Sequence, residues 1–445
     1  MKLYPDSKVY IFCPAQVQTG GPESLHQLAS KLISLGVETY ITYSEPLNNE
    51  PDPVHAAYKK YHVPYTYLMT DDAKNVIIAA ETITANLYGA KKIRRVLWWM
   101  SVDNYLGNVI SIMEHYQKNP LAKPLPKYFT FDKADRDIEH WAKSEYARQF
   151  LQVNGIPSNK IYHVETYMNQ TFFEQAALID LSRKKNLVAY NPRKGFEITK
   201  QLIDATPDID WQPIENMTPA QVQELLARAK VYIDFGEHPG RDRLPREATV
   251  SKCVVITGKR GAAANDVDYN IPAEFKFNLE TVTKRQVIEK IRAVFENFEG
   301  ELEKQASFCQ RVYDDRKNFT ATIANVFGIK KLPPPSVALV QGVSEGSFLL
   351  AQELFKSKDF RPSFIVDDVL AAAEISNELI LREQNRNYLR VGKNLIEIIT
   401  QDDAKFLYLE GRIKKFALFE PTDTEIDALK NFYTPAAEDV LIFSR

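Results

Sequence analysis

Short apolar runs alternate with amphipathic stretches along the first three quarters of the chain. Lys8–Cys13 (KVYIFC) is a β-branched and aromatic run with the pattern of a buried strand. A breaker-rich loop, PAQVQTGGP, follows. Glu23–Leu35 then sets Leu25, Leu28, Leu32 and Leu35 on one helical face and ends at Gly36. Val37–Tyr43 reads as the next strand, with further strands over Asn75–Ala79, Arg95–Met100 and Tyr128–Phe131. The pattern restarts with strands Leu187–Asn191, Trp211–Ile214, Val231–Asp234 and Cys253–Thr257. Between and after them, Gly195–Ile203, Thr218–Arg228, Leu244–Val250 and Val282–Phe298 read as helices, Thr218 and Pro219 giving a cap and a first-turn proline. Strands alternating with helices predict parallel sheets covered by helices. The expected fold is α/β, with two Rossmann-like domains facing a cleft and joined near residues 155–185.

Pro333-Pro334-Pro335 is the strongest linker signal, because three prolines stiffen the chain and stop a helix. The expected domains are therefore 1–165, 166–331 and a tail, 336–445. In the tail, Val337–Val340, Phe364–Val366, Leu395–Ile399, Phe406–Tyr408, Phe416–Phe419 and Val440–Phe443 read as strands, and Ser347–Leu354 and Val369–Leu381 as helices. It reads as an accessory α/β region or the start of a further module.

Composition narrows the function. The 445 residues carry 56 Lys and Arg against 58 Asp and Glu, a net charge of -2, which disfavours nucleic-acid binding by bulk charge. Cys13, Cys253 and Cys309 lie far apart, so neither a disulfide framework nor a zinc finger is expected. There is no HExxH and no GxSxG. The paired acids Asp71-Asp72 and Asp367-Asp368 are candidate cation ligands that read more readily as surface loops. No signal peptide or membrane-spanning run is apparent, so a cytoplasmic location is expected. Lys91, Lys92, Arg94 and Arg95 before Trp98-Trp99 leave a membrane surface as a second option beside a core role for the tryptophans.

Four loops carry candidate chemistry. Thr19-Gly20-Gly21-Pro22-Glu23 leaves a strand and opens a helix, whose free N–H groups suit an anion. The densest is Asp234–Ala248 (DFGEHPGRDRLPREA). There Asp234 ends a strand, Arg241 and Arg243 can fork onto phosphate, His238 can donate or move a proton, and Glu247 can accept from sugar hydroxyls. Arg193 and Lys194 follow another strand and can neutralise a leaving phosphate. Lys259–Asp266 offers Gly261 and Asn265 among small residues.

With TGGPE at 19–23, SEYARQFLQVNGIPSNKIYHV at 144–164, DFGEHPGRDRLPREA at 234–248 and VVITGKRGAAAN at 254–265, the chain resembles GT-B glycosyltransferases over about residues 1–330. The resemblance implies a nucleotide sugar bound mainly to the second domain, a glycan acceptor and no required metal. Arg193 and Lys194 match the family's Arg/Lys pair for the leaving phosphates. Many retaining members carry two glutamates around the donor sugar; Glu247 fits the second, and Pro239 stands where the first would fall. The His238-Pro239 pair is instead similar to that of enzymes using cytidine-monophosphate sugars. The block also resembles the β-Kdo transferase domains of bacterial O-antigen and capsule assembly. That resemblance implies transfer of Kdo from CMP-Kdo to a surface glycan, at the inner face of the bacterial membrane. It makes Asp234 the attacking carboxylate and Glu165 the candidate acid/base of a double displacement. The rival readings are a UDP- or GDP-sugar donor on the same fold, a sugar-nucleotide epimerase or isomerase, and a non-catalytic glycan- or nucleotide-binding module.

Overall fold

The computed structural model describes residues 1–43, 52–121, 127–132, 135, 137–330, 336–339, 345–357, 360–366, 381–383, 386–391, 394–433 and 435–443. Strands β1 (Lys8–Phe12), β2 (Glu38–Thr42), β3 (Tyr65–Thr66), β4 (Val76–Ala80), β5 (Arg94–Trp99), β6 (Glu139–Ala142) and β7 (Ile161–His163) form a sheet of order β3-β2-β1-β4-β5-β6-β7. The next sheet, of order β12-β11-β10-β8-β9, holds β8 (Lys185–Tyr190), β9 (Asp210–Pro213), β10 (Ala229–Asp234), β11 (Val254–Gly258) and β12 (Lys276–Phe277). The last contains β13 (Ser336–Leu339), β14 (Arg361–Val366), β15 (Leu381–Glu383), β16 (Arg386–Val391), β17 (Asn394–Thr400), β18 (Lys415–Phe419) and β19 (Val440–Phe443), ordered β15-β16-β17-β14-β13-β18-β19. The helices that matter below are α1 (Gly20–Ser34), α2 (Val102–Lys118), α3 (Glu145–Val153), α4 (Phe196–Ala205), α5 (Pro219–Arg228), α6 (Arg243–Val250), α7 (Lys284–Glu296), α8 (Ala306–Phe327), α9 (Glu345–Ser357) and α10 (Gln401–Leu409). The second sheet is parallel throughout, whereas β15-β16-β17 of the third is antiparallel. The expected α/β fold with Rossmann-like parallel sheets is what the chain adopts, with a third sheet added.

The described chain packs as two compact units. One comprises Met1–Ile77, Lys91–Arg94 and Ala324–Arg445; the other comprises Ile78–Ala90 and Arg95–Ile323. In the first, α1 buries Leu25, Leu28 and Leu32 as its periodicity predicts. α9 seals the third sheet, with Leu350, Ala351 and Leu354 against Val337, Leu339 and Phe364. The tail is anchored to the N-terminal segment by polar bonds. Lys31 Nζ donates to the Glu410 carbonyl at 3.0 Å, and His62 lies 3.1 Å from Glu397 and 2.9 Å from Asp403.

In the second unit, Trp98, Trp99 and Trp141 are fully buried. Trp98 Nε1–H donates to the Val164 carbonyl and Trp99 Nε1–H to His140 Nδ1, both at 3.0 Å. Rings this deep cannot rest on a membrane, so the surface option for Trp98-Trp99 falls. Among the described residues no helix is long and apolar enough to cross a membrane. α5 begins with the expected cap, reciprocated by Gln221 as a capping box. Asp71 is occupied, accepting from the N–H groups of Lys91, Lys92 and Ile93. Asp367-Asp368, the triple proline and nearly all of Val369–Leu381 lie outside the described residues.

Two predicted strands are corrected. Tyr128–Phe131 is not a strand. Its backbone bonds go to side chains, the Phe129 N–H to Thr84 Oγ1 and the Tyr105 hydroxyl to the Phe129 carbonyl, and the place beside β5 belongs to β6. Phe406–Tyr408 is helical, inside α10, because Thr400 caps that helix and Asp402 and Asp403 fill its first turn.

Candidate functional site

The carboxyl ends of β8, β10 and β11 carry three loops locked together by glycines. Gly195 has φ +61° at the start of α4, and a Cβ there would fall 2.5 Å from the Phe235 carbonyl carbon. Gly236 would meet Lys194 Cβ at 2.2 Å, and Gly261, at φ +52°, would meet the His238 carbonyl oxygen at 2.2 Å. Only glycine permits such backbone approach. The space expected at Gly261 for a ligand is thus filled by the His238 backbone. Asn265 is likewise occupied with Asp268, exchanging side-chain and backbone bonds at 3.0 and 2.7 Å. Asp268 in turn accepts from the Glu145 and Tyr146 N–H groups and so caps α3 alongside Ser144.

Two cavities adjoin at this edge. One, of about 320 Å3, is lined by Asn191, Arg193, Lys194, Ile214, Asn216, Met217 and Leu244. The other, of about 390 Å3, is lined by Asp103, Asn104, Lys194, Gly195, Gly236, Glu237, Pro239 and Arg260. Lys194 borders both, and its Nζ donates to Asp242 Oδ2 at 2.7 Å. Arg193 is exposed at the rim. The first turn of α4 opens at Gly195, so a helix N-terminus also faces the second cavity. Arg260, in the Lys259–Asp266 candidate loop but not singled out there, adds a cation that Glu237 and Glu197 approach at 3.7 and 3.9 Å.

The dense 234–248 block is mostly turned inward. Asp234 is 2% exposed. Its oxygens accept from the Tyr232 hydroxyl at 3.0 Å, the Gly236 N–H at 3.0 Å and Asn191 Nδ2 at 3.4 Å. His238 is buried, with Nδ1 3.3 Å from Asp242 Oδ2 and Nε2 3.9 Å from Asp234 Oδ1. Burial pushes its imidazole down, but the Asp242 hydrogen bond and the Asp234 charge outweigh this and raise the pKa. Asp242 is correspondingly lowered: burial opposes ionisation, and His238 and Lys194 overcome it.

Arg241, expected as a phosphate fork, is instead a buried hub. Nη1 pairs with Glu165 and with Asp315 Oδ1, the latter at 2.7 Å, and burial lowers the guanidinium to about 10, still protonated at neutral pH. Arg246 shares Asp315 at 3.4 Å, and Arg311 binds Glu165 at 2.7 Å. Glu165, expected as acid/base, is therefore clamped between two arginines. Arg243 is exposed and donates to Glu247, which is buried. Gly20 and Gly21 open α1 in the other unit. There the Tyr58 hydroxyl donates to the Thr19 carbonyl at 2.8 Å, and nothing lies within 4 Å of a Cβ built on Gly20.

At the ends of β4 and β6 stand two groups that sequence reading missed. Glu81 accepts from the Met100 N–H at 2.8 Å, and burial raises its carboxyl to about 7. Lys143 follows β6 near Asp242, Glu81, Arg241 and Arg246, and burial lowers its ammonium to about 8. Both sit immediately after strands, which is the one signal that would have found them; β6 itself went unread. Among the described residues no three His, Cys, Asp or Glu side chains converge as a metal-binding group.

No protein-family model matches the chain, and no curated protein matches it by sequence. Solved structures do resemble it. HepE from Anabaena, solved with UDP and glucose, matches with TM-score 0.47 and 11% identity over 72% of this chain and 98% of that one. Sucrose-phosphate synthase from Thermosynechococcus elongatus matches with TM-score 0.48 and 12% identity, over 72% and 98%. A glycosyltransferase from Rickettsia africae matches with TM-score 0.43 and 15% identity, over 73% and 95%.

Proposed function

We propose that the chain is a glycosyltransferase that takes a nucleotide sugar as donor. The observation that carries this is the pair of adjoining cavities sharing Lys194 at the carboxyl ends of a parallel sheet, where open α/β sheets bind ligands. The cavity walled by Ile214, Asn216, Met217 and Leu244 suits the nucleoside. The one bordered by the α4 N-terminus, Lys194 and Arg260 suits the phosphate and the sugar. Arg193, Lys194 and Arg260 stabilise the phosphate as it leaves. The glycan acceptor supplies the attacking hydroxyl.

In this reading Asp234 is a positioning residue. A carboxylate closed off from solvent, with both oxygens engaged, holds the 234–238 turn rather than attacking a sugar. Arg241, Glu165 and Asp315 brace the same loop from beneath. The sharper reading, CMP-Kdo as donor with Asp234 as nucleophile, rests on the resemblance of the His238-Pro239 block. It requires the Asp234 carboxylate to swing out of its three hydrogen bonds.

The test is a thermal-shift series with CMP, UMP, UDP, GDP and ADP, since a ligand of the native state raises its melting temperature. A nucleotide response that Lys194→Ala removes is expected; no response to any of the five overturns the reading. A response to CMP alone supports the cytidine-sugar form. Asp234→Asn separates the two roles for Asp234: residual transfer fits positioning, and complete loss of transfer with an intact nucleotide response fits a nucleophile.

A further inference from the structure

A third cavity, of about 320 Å3, lies along α2 and is lined among others by Glu81, Ile83, Tyr105, Asn108, Val109 and Ile112. Most of its wall is apolar, and among the described residues Glu81 is its one charged group. Its frame is fixed: Asn108 Nδ2 donates to the Thr82 carbonyl at 3.3 Å, and the Tyr105 hydroxyl to the Phe129 carbonyl at 3.2 Å. α2 also borders the phosphate-side cavity through Asp103 and Asn104. Asn104 and Asn108 are one helical turn apart, roughly 5–6 Å along the axis. The two cavities therefore follow one another along a single helix.

The outer face of α2 extends the apolar character. Leu106, Ile110 and Met113 repeat at helical spacing and are 41%, 55% and 56% exposed. A helix that leaves three large apolar side chains in water beside an apolar cavity offers a path for an apolar ligand longer than the cavity itself.

We propose that this cavity is the acceptor subsite, and that it takes an acceptor made of an apolar body joined to a hydroxyl-bearing head, with Glu81 accepting a hydrogen bond from the head. This assignment rests on the glycosyltransferase reading and adds the chemical class of the acceptor. The apolar body lies against Ile83, Val109 and Ile112, and a chain longer than the cavity continues over Ile110 and Met113. Glu81 is the group that orients the head towards the donor cavity. Its carboxyl, raised by burial to about 7, carries substantial negative charge at neutral pH and above, which strengthens such a bond.

The experiment titrates the full chain with octyl β-D-glucopyranoside, below its micellar concentration, and with methyl β-D-glucopyranoside, reading both the melting temperature and the heat of binding. Octyl glucoside is expected to bind, and methyl glucoside to bind at least about tenfold more weakly. Val109→Trp and Ile112→Trp, each confirmed as folded by a cooperative melt, fill the cavity and weaken octyl glucoside at least about tenfold. Glu81→Gln, which keeps the shape and removes the charge, weakens it roughly three- to tenfold. Octyl glucoside binding equally well to both tryptophan variants, or not binding at all, overturns the proposal. The nucleotide response is read on the same samples and stays unchanged in the tryptophan variants. A chain that binds octyl glucoside at this cavity and answers to no nucleotide overturns the acceptor assignment through the failure of the glycosyltransferase reading, an outcome distinct from the failure of the cavity.

Discussion

Two strand-to-helix turns in this chain carry glycine at the start of the helix: Thr19-Gly20-Gly21 before α1 and Tyr190–Gly195 before α4. They differ in what the glycine is for. At Gly20 a Cβ would meet nothing within 4 Å, and the backbone is not left-handed. At Gly195 the backbone is left-handed and the neighbouring loop fills the Cβ position. The same residue is optional in one turn and obligatory in the other, because the second turn packs against the loop after β10, which packs in turn against the loop after β11. A glycine-rich loop therefore reports a ligand only when the space it frees stays empty.

The largest expected effect lies in the loop after β10, which the second turn packs against. Arg241→Ala leaves Asp315 and Glu165 with only part of their compensation, and should cost about 4 kcal/mol in urea denaturation. Gly195→Ala should cost about 3 kcal/mol, from a left-handed backbone and a direct clash. A loss below about 1 kcal/mol would mean that the 190–195 and 234–238 loops can part, and would break the contrast with Gly20.

Glu81 gives a pH-dependent test. Its folded pKa, about 7, lies above the usual carboxylate range, so the folded state holds a proton that the unfolded state has lost. Its contribution to stability falls as pH rises towards 7 and is constant above. Glu81→Gln removes that cost. Its stability relative to the parent should improve by about 2 kcal/mol between pH 5.5 and pH 8, measured by denaturation at each pH. A pH-independent difference would place Glu81 in contact with water. The smallest effect is at the first turn, where Gly20→Ala should change stability by no more than about 0.5 kcal/mol.

The elements themselves were largely legible. Periodicity located α5 and the strands β1, β2, β4, β5, β8, β10 and β11 to within a residue or two, and α1 to within three, because each buries a simple apolar pattern. Tyr128–Phe131 looked like a strand because two phenylalanines alternate with polar residues, yet they pack around Trp99 from an irregular segment. β6 was missed because Glu139-His140-Trp141-Ala142 has too little apolar character, although His140 and Trp141 are both buried. In the candidate site, Arg193 and Lys194 were readable as cations after a strand. The inward turn of His238, Arg241 and Glu247 was not, since a charged loop has the same composition whether its charges face water or one another.

The order of strands and helices, the caps of α5 and the strand-end loops were determined by the sequence alone, through local propensity and apolar spacing. Which charges stay available to a ligand was decided only by the tertiary structure. Arg241 finds Glu165 and Asp315 from segments 76 and 74 residues away, and the raised carboxyl of Glu81 exists only because the strands around it exclude water. Burial and long-range pairing set the chemistry of an ionisable group, and neither is written in its neighbours along the chain.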